Sequence, residues 1–314
     1  MNLKLTEGEF RAEHQARPGL IPVELDTVQR TASWLDLNDY HCFEGSFRRS
    51  LATYNAILAG APRPSEPWRC ISSLDFLRSA PPATDCLSPS GFILHAGRCG
   101  STLLAKVLAR SVEHLVFGEG GPHNQIWPLI NASPDQAPLL FRNLILHTAR
   151  PRRRSYKAHV VKFTSFNVMR LETIHAAFPD VPIFFLFRHP AQMLASWRRG
   201  KPGWMGMDTG IGTIWHAPER AISDFFQRAL RAGDRMQLLD YADLSPRMLP
   251  AILDAFHLDP SVADRELMQA EFTWDAKSNR AWAPHPSTSA GSGPPAPAEL
   301  LELYRELTLR KIRC

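Results

Sequence analysis

Phe92-Ile-Leu-His-Ala-Gly-Arg-Cys-Gly-Ser-Thr-Leu-Leu104 reads as a short apolar strand, a glycine-bearing turn, two hydroxyl residues and the start of a helix. The helix is marked by Leu103, Leu104, Val107 and Leu108, spaced at helical intervals within Ser101–Arg110. Glycines let the backbone curl so that successive N–H groups face an anion. A helix starting at Ser101 aims its positive end at the same point. Gly97, Arg98, Cys99, Gly100, Ser101 and Thr102 therefore form a candidate phosphate loop; the alternative is a glycine turn capped by Ser101 with no ligand. An ATP-binding Walker loop ends in Gly-Lys-[Ser/Thr]. Here Gly100 runs directly into Ser101 and Thr102, and the cation stands earlier, at Arg98.

Outward from the loop, apolar runs and helical patterns alternate. Ala158-His-Val-Val-Lys-Phe163 is a second strand, Leu171–Phe178 a helix, and Val181-Pro-Ile-Phe-Phe-Leu-Phe187 the strongest strand of the chain. An unbroken apolar run of that kind is buried on both faces, as in a parallel sheet. Ala191–Arg199 is helical in pattern, and Arg235–Tyr241 contains a further strand. Strands separated by helices predict an α/β fold with a central parallel sheet flanked by helices and right-handed crossovers. The strand at 181–187 ends in Arg188-His-Pro-Ala-Gln-Met-Leu-Ala-Ser196. Arg188 leaves the strand tip, Pro190 opens the next helix, and Ser196 lies about two turns along it. A guanidinium and a hydroxyl so spaced can converge on one phosphate; a surface Arg and a helix hydroxyl are the plain alternative.

A basic residue, one intervening residue and Gly-[Ser/Thr]-Thr, followed ninety residues later by Arg-x-Pro and Ser, resembles the sulfotransferase family dependent on 3′-phosphoadenosine 5′-phosphosulfate. The resemblance spans Phe92 to Leu244, about half the chain, with Cys99 standing where the family often carries Ser. It implies a P-loop NTPase-like fold, a nucleotide donor held at its 5′ end by the loop and at its 3′-phosphate by Arg188 and Ser196, and no metal. Leu239-Asp-Tyr-Ala-Asp-Leu244 resembles a Tyr-Glu-Asp-Leu element of the family, with Tyr241 packing and Asp243 bracing the turn.

Sulfuryl transfer needs in-line geometry, charge stabilisation and a base for the acceptor's proton. Glu119, in Val116-Phe-Gly-Glu-Gly-Gly121 and twenty-one residues after Arg98, looks like the Gly-Glu base of the tyrosylprotein branch. His159, in Lys157-Ala-His, resembles the Lys-x-His element of the cytosolic small-molecule branch, although its distance to Arg188 exceeds what that branch prefers. An enclosed core histidine is the other reading of His159, and His123 is a lesser candidate base. Lys162, twenty-six residues before Arg188, suits the family lysine that stabilises the departing nucleotide's oxygen. Arg280, beside Lys277, Asn279 and Trp282, is a candidate for a basic late loop over the nucleotide. Arg150–Arg154 reads as a solvated loop that can attract anions.

The remaining organisation is sparser. Residues 1–88 form a mainly helical N-terminal extension, ending in the breaker-rich Ser79–Ser90; residues 89–314 form the α/β domain. Within it, 284–297 is a low-complexity, flexible loop and 298–312 a terminal helix. The 314 residues, 44% apolar, suffice for a sizeable core. A net charge of +5 favours an anionic partner, but no nucleic-acid reader motif accompanies the scattered cations. Five dispersed cysteines without a CxxC pair exclude a disulfide scaffold or zinc ribbon and favour a reducing compartment. No h-region and no membrane-length apolar run is present, so the cytoplasm is the expected location. The expected partners are the nucleotide donor and a hydroxyl- or amine-bearing acceptor whose identity the residues leave open. A P-loop kinase or NTPase and a non-catalytic nucleotide binder are the competing readings.

Overall fold

The computed structural model describes residues 3–61, 66–153, 155–275, 280–281 and 295–312. The N-terminal part departs from the mainly helical expectation. Strands β1 (Leu3–Lys4), β2 (Leu20–Asp26), β3 (Thr31–Asp36) and β4 (Arg69–Ser73) form a sheet in the order β1-β4-β3-β2. Helices α1 (Glu7–Ala16) and α2 (Phe47–Ala59) accompany it. Helical spacing holds from Phe47 to Leu58, but Trp34 and Leu35 belong to β3. Ala32 and Trp34 join one apolar cluster while Leu35 and Leu37 join another. A strand covered on both faces loses the polar alternation that would mark it in sequence.

The central sheet contains β5 (Pro89–His95), β6 (His114–Gly118), β7 (Ala158–Lys162), β8 (Ile183–Phe187) and β9 (Gln237–Asp240). Its order is β6-β7-β5-β8-β9 and every neighbouring pair is parallel. All residues of β6, β7 and β8 are buried, as both-face coverage demands. Successive residues sort to opposite faces. Phe92, Leu94, Val161, Phe185 and Phe187 enter one cluster, and Ile93, Val160, Phe184 and Leu186 the other.

Helices cover both faces. The second cluster takes in α3 (Ser101–Leu108). After β6 come α4 (Gly121–Gln125), α5 (Trp127–Ala132) and α6 (Ala137–Thr148), then α7 (Leu171–Ala177), α8 (Pro190–Arg199) and α9 (Pro218–Ala232). Leu144 of α6, Ile174 of α7, Trp197 of α8 and Phe225 of α9 pack in the first cluster. Helices α10 (Leu249–Ala255) and α11 (Val262–Glu271) join α3 through Ile252 and Met268, whereas the terminal α12 (Ala298–Arg310) joins the first cluster through Leu300 and Leu307. Residues 284–294 of the expected flexible loop lie outside the described residues. No described helix is long and apolar enough to cross a membrane.

The strand order fixes where a ligand can sit. From β5 the chain turns toward β6, and from β8 it turns away toward β9. Connections leaving in opposite directions open a crevice beyond the carboxyl ends of β5 and β8, the usual ligand position in such sheets.

Within the Arg150–Arg154 run, of which Arg154 lies outside the described residues, two arginines correct the solvated expectation. Arg150 and Arg152 are buried. Arg150 Nη1 donates to the carbonyls of Arg17 and Leu20 (2.9 and 3.3 Å), and Arg152 Nε to that of Tyr40 (2.8 Å). They donate to backbone carbonyls of the N-terminal part and tie it to the central domain.

Four histidines give this packing a pH signature. Burial, followed by the charges of Arg150 and His147, pushes His14 down to about 3. Burial likewise pushes His147 to about 4 and His123 and His159 to about 3. In the unfolded chain a histidine binds its proton near pH 6.5. Below that pH the unfolded state therefore binds more protons, and stability is lost progressively down to the folded values. The slope approaches about 1.4 kcal/mol per pH unit for each such histidine. The urea midpoint is thus expected to fall steeply between pH 7 and pH 5; a midpoint unchanged across that interval contradicts the packing.

Candidate functional site

The loop after β5 takes left-handed backbone at Gly97 (φ +82°), Arg98 (φ +55°) and Gly100 (φ +84°). A Cβ on Gly100 would stand 2.4 Å from the Tyr241 ring, so glycine is required there for both space and conformation. Helix α3 begins directly at Ser101. The first turn of a helix carries N–H groups without intrahelical partners and the positive end of the dipole, and in α3 this end lies at the loop. Cys99 is enclosed; its Sγ donates to the Leu186 carbonyl at 3.2 Å, and burial pushes the thiol up to about 11. It pins the loop to β8 and is no nucleophile at neutral pH.

On the β8 side, the Arg188 guanidinium lies 4.3 Å over the Tyr241 ring, and its Nε donates to Gln192 Oε1 at 2.7 Å. Tyr241 thus touches both the loop's glycine and Arg188. Ser196 follows Gln192 by four residues on α8, hence on the same helix face. Arg98 Nη2 donates to the Gly200 carbonyl just beyond that helix. Burial, then the positive charge of Arg199, holds Arg98 below the ordinary arginine value. Arg188 is held down by burial first, with Arg199 contributing. Two partly buried guanidiniums, bonded to a carbonyl and an amide and each near Arg199, each gain from an anion close by.

On the β7 side, the Lys162 side chain is 0% exposed. Its Nζ forms an ion pair with Glu119 and reaches Thr102 Oγ1 at 3.3 Å and the Gly45 carbonyl at 3.4 Å. Glu119 has left-handed backbone (φ +50°), its N–H donates to the Lys162 carbonyl at 2.7 Å, and a third of its side chain remains exposed. The lysine, the glutamate and the loop's Thr102 therefore meet at one point. Two contributors escaped the sequence reading. One is Gly45 of the N-terminal part. The other is His95, whose Nε2 lies 3.7 Å from Glu119 Oε1.

His159 and His123 are not brought to this point. His159 precedes Lys162 by three residues on one strand, an odd separation that sends the two side chains to opposite faces. Its ring is 0% exposed, and His123 is similarly enclosed. Arg280 belongs to β11 (Arg280–Ala281), which pairs antiparallel with β10 (Trp274–Asp275). Lys277, Asn279 and Trp282 lie outside the described residues. After β9, Tyr241 packs as expected, but the turn is braced by Asp240, whose Oδ1 accepts from the Ala242 N–H at 3.0 Å. Asp243 instead pairs with Lys311 at 2.6 Å. Two surface cavities of about 210 and 290 Å³ lie elsewhere, one beside Glu172 and Arg228, the other beside His41 and Trp274.

No protein-family model matches the chain, and no curated protein matches it. Among solved structures, the chain is similar to the sulfotransferase domain of the olefin synthase of Synechococcus PCC 7002, at 17% identity and a TM-score of 0.44, covering 72% of this chain and 97% of that one. It is also similar to the sulfotransferase domain from the curacin biosynthetic pathway, at 17% identity and a TM-score of 0.44, covering 71% of this chain and 99% of that one.

Proposed function

We propose that the protein is a sulfotransferase that moves a sulfuryl group from 3′-phosphoadenosine 5′-phosphosulfate to an acceptor hydroxyl or amine. The observation that carries this reading is the convergence of two cation-bearing ends on one crevice. The glycine loop with Arg98 lies at the end of β5, Arg188 with Ser196 lies beyond β8, and the Lys162–Glu119 pair stands behind Thr102. A nucleotide phosphorylated at both 5′ and 3′ positions suits such a two-ended clamp. A Walker-type loop would need a lysine where Ser101 stands.

In this reading the loop N–H groups, Arg98 and the hydroxyls of Ser101 and Thr102 hold the 5′-phosphosulfate. Arg188 and Ser196 hold the 3′-phosphate. The acceptor oxygen attacks sulfur in line as the bond from sulfur to the phosphate oxygen breaks, and that oxygen keeps the electron pair. Glu119 takes the acceptor's proton, and Lys162 neutralises the departing oxygen. Before the donor arrives, Lys162 and Glu119 neutralise each other. A bridging oxygen that draws the ammonium away leaves the carboxylate with one cation fewer, and so a stronger base. Donor binding and base activation are thereby linked.

The test is incubation with donor labelled in the sulfuryl group and a panel of phenols, alcohols and amines. One labelled product and an equal amount of 3′-phosphoadenosine 5′-phosphate are expected. Magnesium-dependent release of phosphate from ATP, with no labelled product, contradicts the reading.

A further inference from the structure

His95 ends β5 immediately before the loop, and its side chain is 4% exposed. Both ring nitrogens are engaged. The Gly97 N–H donates to Nδ1 at 3.0 Å. A nitrogen that accepts carries no proton, so the neutral ring bears its hydrogen on Nε2. That nitrogen lies 2.9 Å from the Phe163 carbonyl and 3.7 Å from Glu119 Oε1. One enclosed imidazole therefore touches the first turn of the phosphate loop, the residue after Lys162, and the candidate base. Gly97, which it holds, is the residue where the backbone first turns left-handed.

We propose that His95 is a positioning residue with two separable tasks. Through Nδ1 it fixes the Gly97 turn, and with it the N–H groups that follow toward the anion. Through Nε2–H it anchors the end of β7 at the Phe163 carbonyl, the residue after Lys162, and so sets where the Lys162–Glu119 pair stands. When Lys162 moves to the donor's oxygen, the anchored strand end still holds Glu119, whose N–H donates to the Lys162 carbonyl at 2.7 Å, aimed at the acceptor. The inference rests on the sulfotransferase reading above.

Two amide variants separate the tasks. In His95→Asn the side-chain oxygen stands near the Nδ1 position and still accepts from Gly97, but the side chain no longer reaches the Phe163 carbonyl. In His95→Gln the amide nitrogen reaches the Nε2 position, but the loop loses its acceptor. Binding of 3′-phosphoadenosine 5′-phosphate is measured by calorimetry, and transfer from saturating 3′-phosphoadenosine 5′-phosphosulfate to water by the release of that same product. For His95→Asn we expect Kd within about threefold of the parent and a rate at least tenfold lower. For His95→Gln we expect Kd at least fivefold higher and a loss of rate smaller than that of His95→Asn. Unchanged Kd and rate in both variants would overturn the proposal. So would parallel losses of Kd, rate and melting temperature in both, which mark a merely structural histidine. A parent protein that does not bind 3′-phosphoadenosine 5′-phosphate removes the sulfotransferase reading itself, and this inference with it. Normal parent binding with indifferent variants removes this inference alone.

Discussion

Replacing Arg188 by alanine is expected to raise the Kd for 3′-phosphoadenosine 5′-phosphate about a hundredfold. The guanidinium is partly buried between the Tyr241 ring and α8, already fixed by Gln192. Little side-chain freedom is left to lose when a phosphate binds. A charge-assisted hydrogen bond contributes about 1.5–3 kcal/mol. A hundredfold change corresponds to about 2.7 kcal/mol, within reach of one or two such bonds. Arg188→Lys keeps a charge but not the planar fork, so it should recover only part of the loss. AMP, which lacks the 3′-phosphate, is the internal control: its Kd should change less than about threefold in Arg188→Ala. Equal weakening of both nucleotides would move Arg188 away from the 3′ end.

Glu119→Gln is expected to lower turnover by about 10²–10⁴, the ordinary contribution of a positioned base, and to leave nucleotide binding nearly intact. The choice of glutamine matters. Lys162 is wholly enclosed, and its other acceptors are the Thr102 hydroxyl and the Gly45 carbonyl. Glutamine still offers the ammonium an oxygen. Alanine leaves a buried charge short of a partner, and breaking a buried pair costs about 3–5 kcal/mol. The third of Glu119 that remains exposed lets water soften that cost. Lost activity in Glu119→Ala therefore mixes chemistry with stability, whereas in Glu119→Gln it reports chemistry. The same transfer assay checks it, with urea unfolding alongside. Normal turnover in Glu119→Gln removes the glutamate from the base role.

The parts of this arrangement differ in how plainly residues announce them. Ile183–Phe187 is legible because a parallel strand covered on both faces must be apolar throughout. The loop is legible because left-handed backbone at Gly97 and Gly100 restricts residue choice locally. Other features depend on partners distant in sequence. β6, His114–Gly118, is five residues long and begins with a histidine whose Nδ1 bonds to the Leu108 carbonyl, so its polar residue hides a buried strand. The ion pair of Lys162 with Glu119 spans 43 residues and exists only because β6 and β7 pair in register, Gly118 beside Lys162. The contributions of Gly45 and of Arg150 follow from the N-terminal sheet docking on the central domain, which no local pattern encodes. His159 is the instructive case. Its neighbour-by-neighbour pattern suits a base, yet the odd spacing from Lys162 along one strand already sends it to the other face.

A clamp for a nucleotide phosphorylated at both ends can be read out by thermal melting with matched nucleotides. A ligand that binds only the folded state raises the melting temperature in proportion to its affinity. 3′-Phosphoadenosine 5′-phosphate is expected to stabilise the protein strongly, without magnesium, while AMP, ADP and ATP at the same concentration do so far less. Equal or greater stabilisation by ATP with magnesium, or none by the 3′-phosphorylated nucleotide, would contradict it.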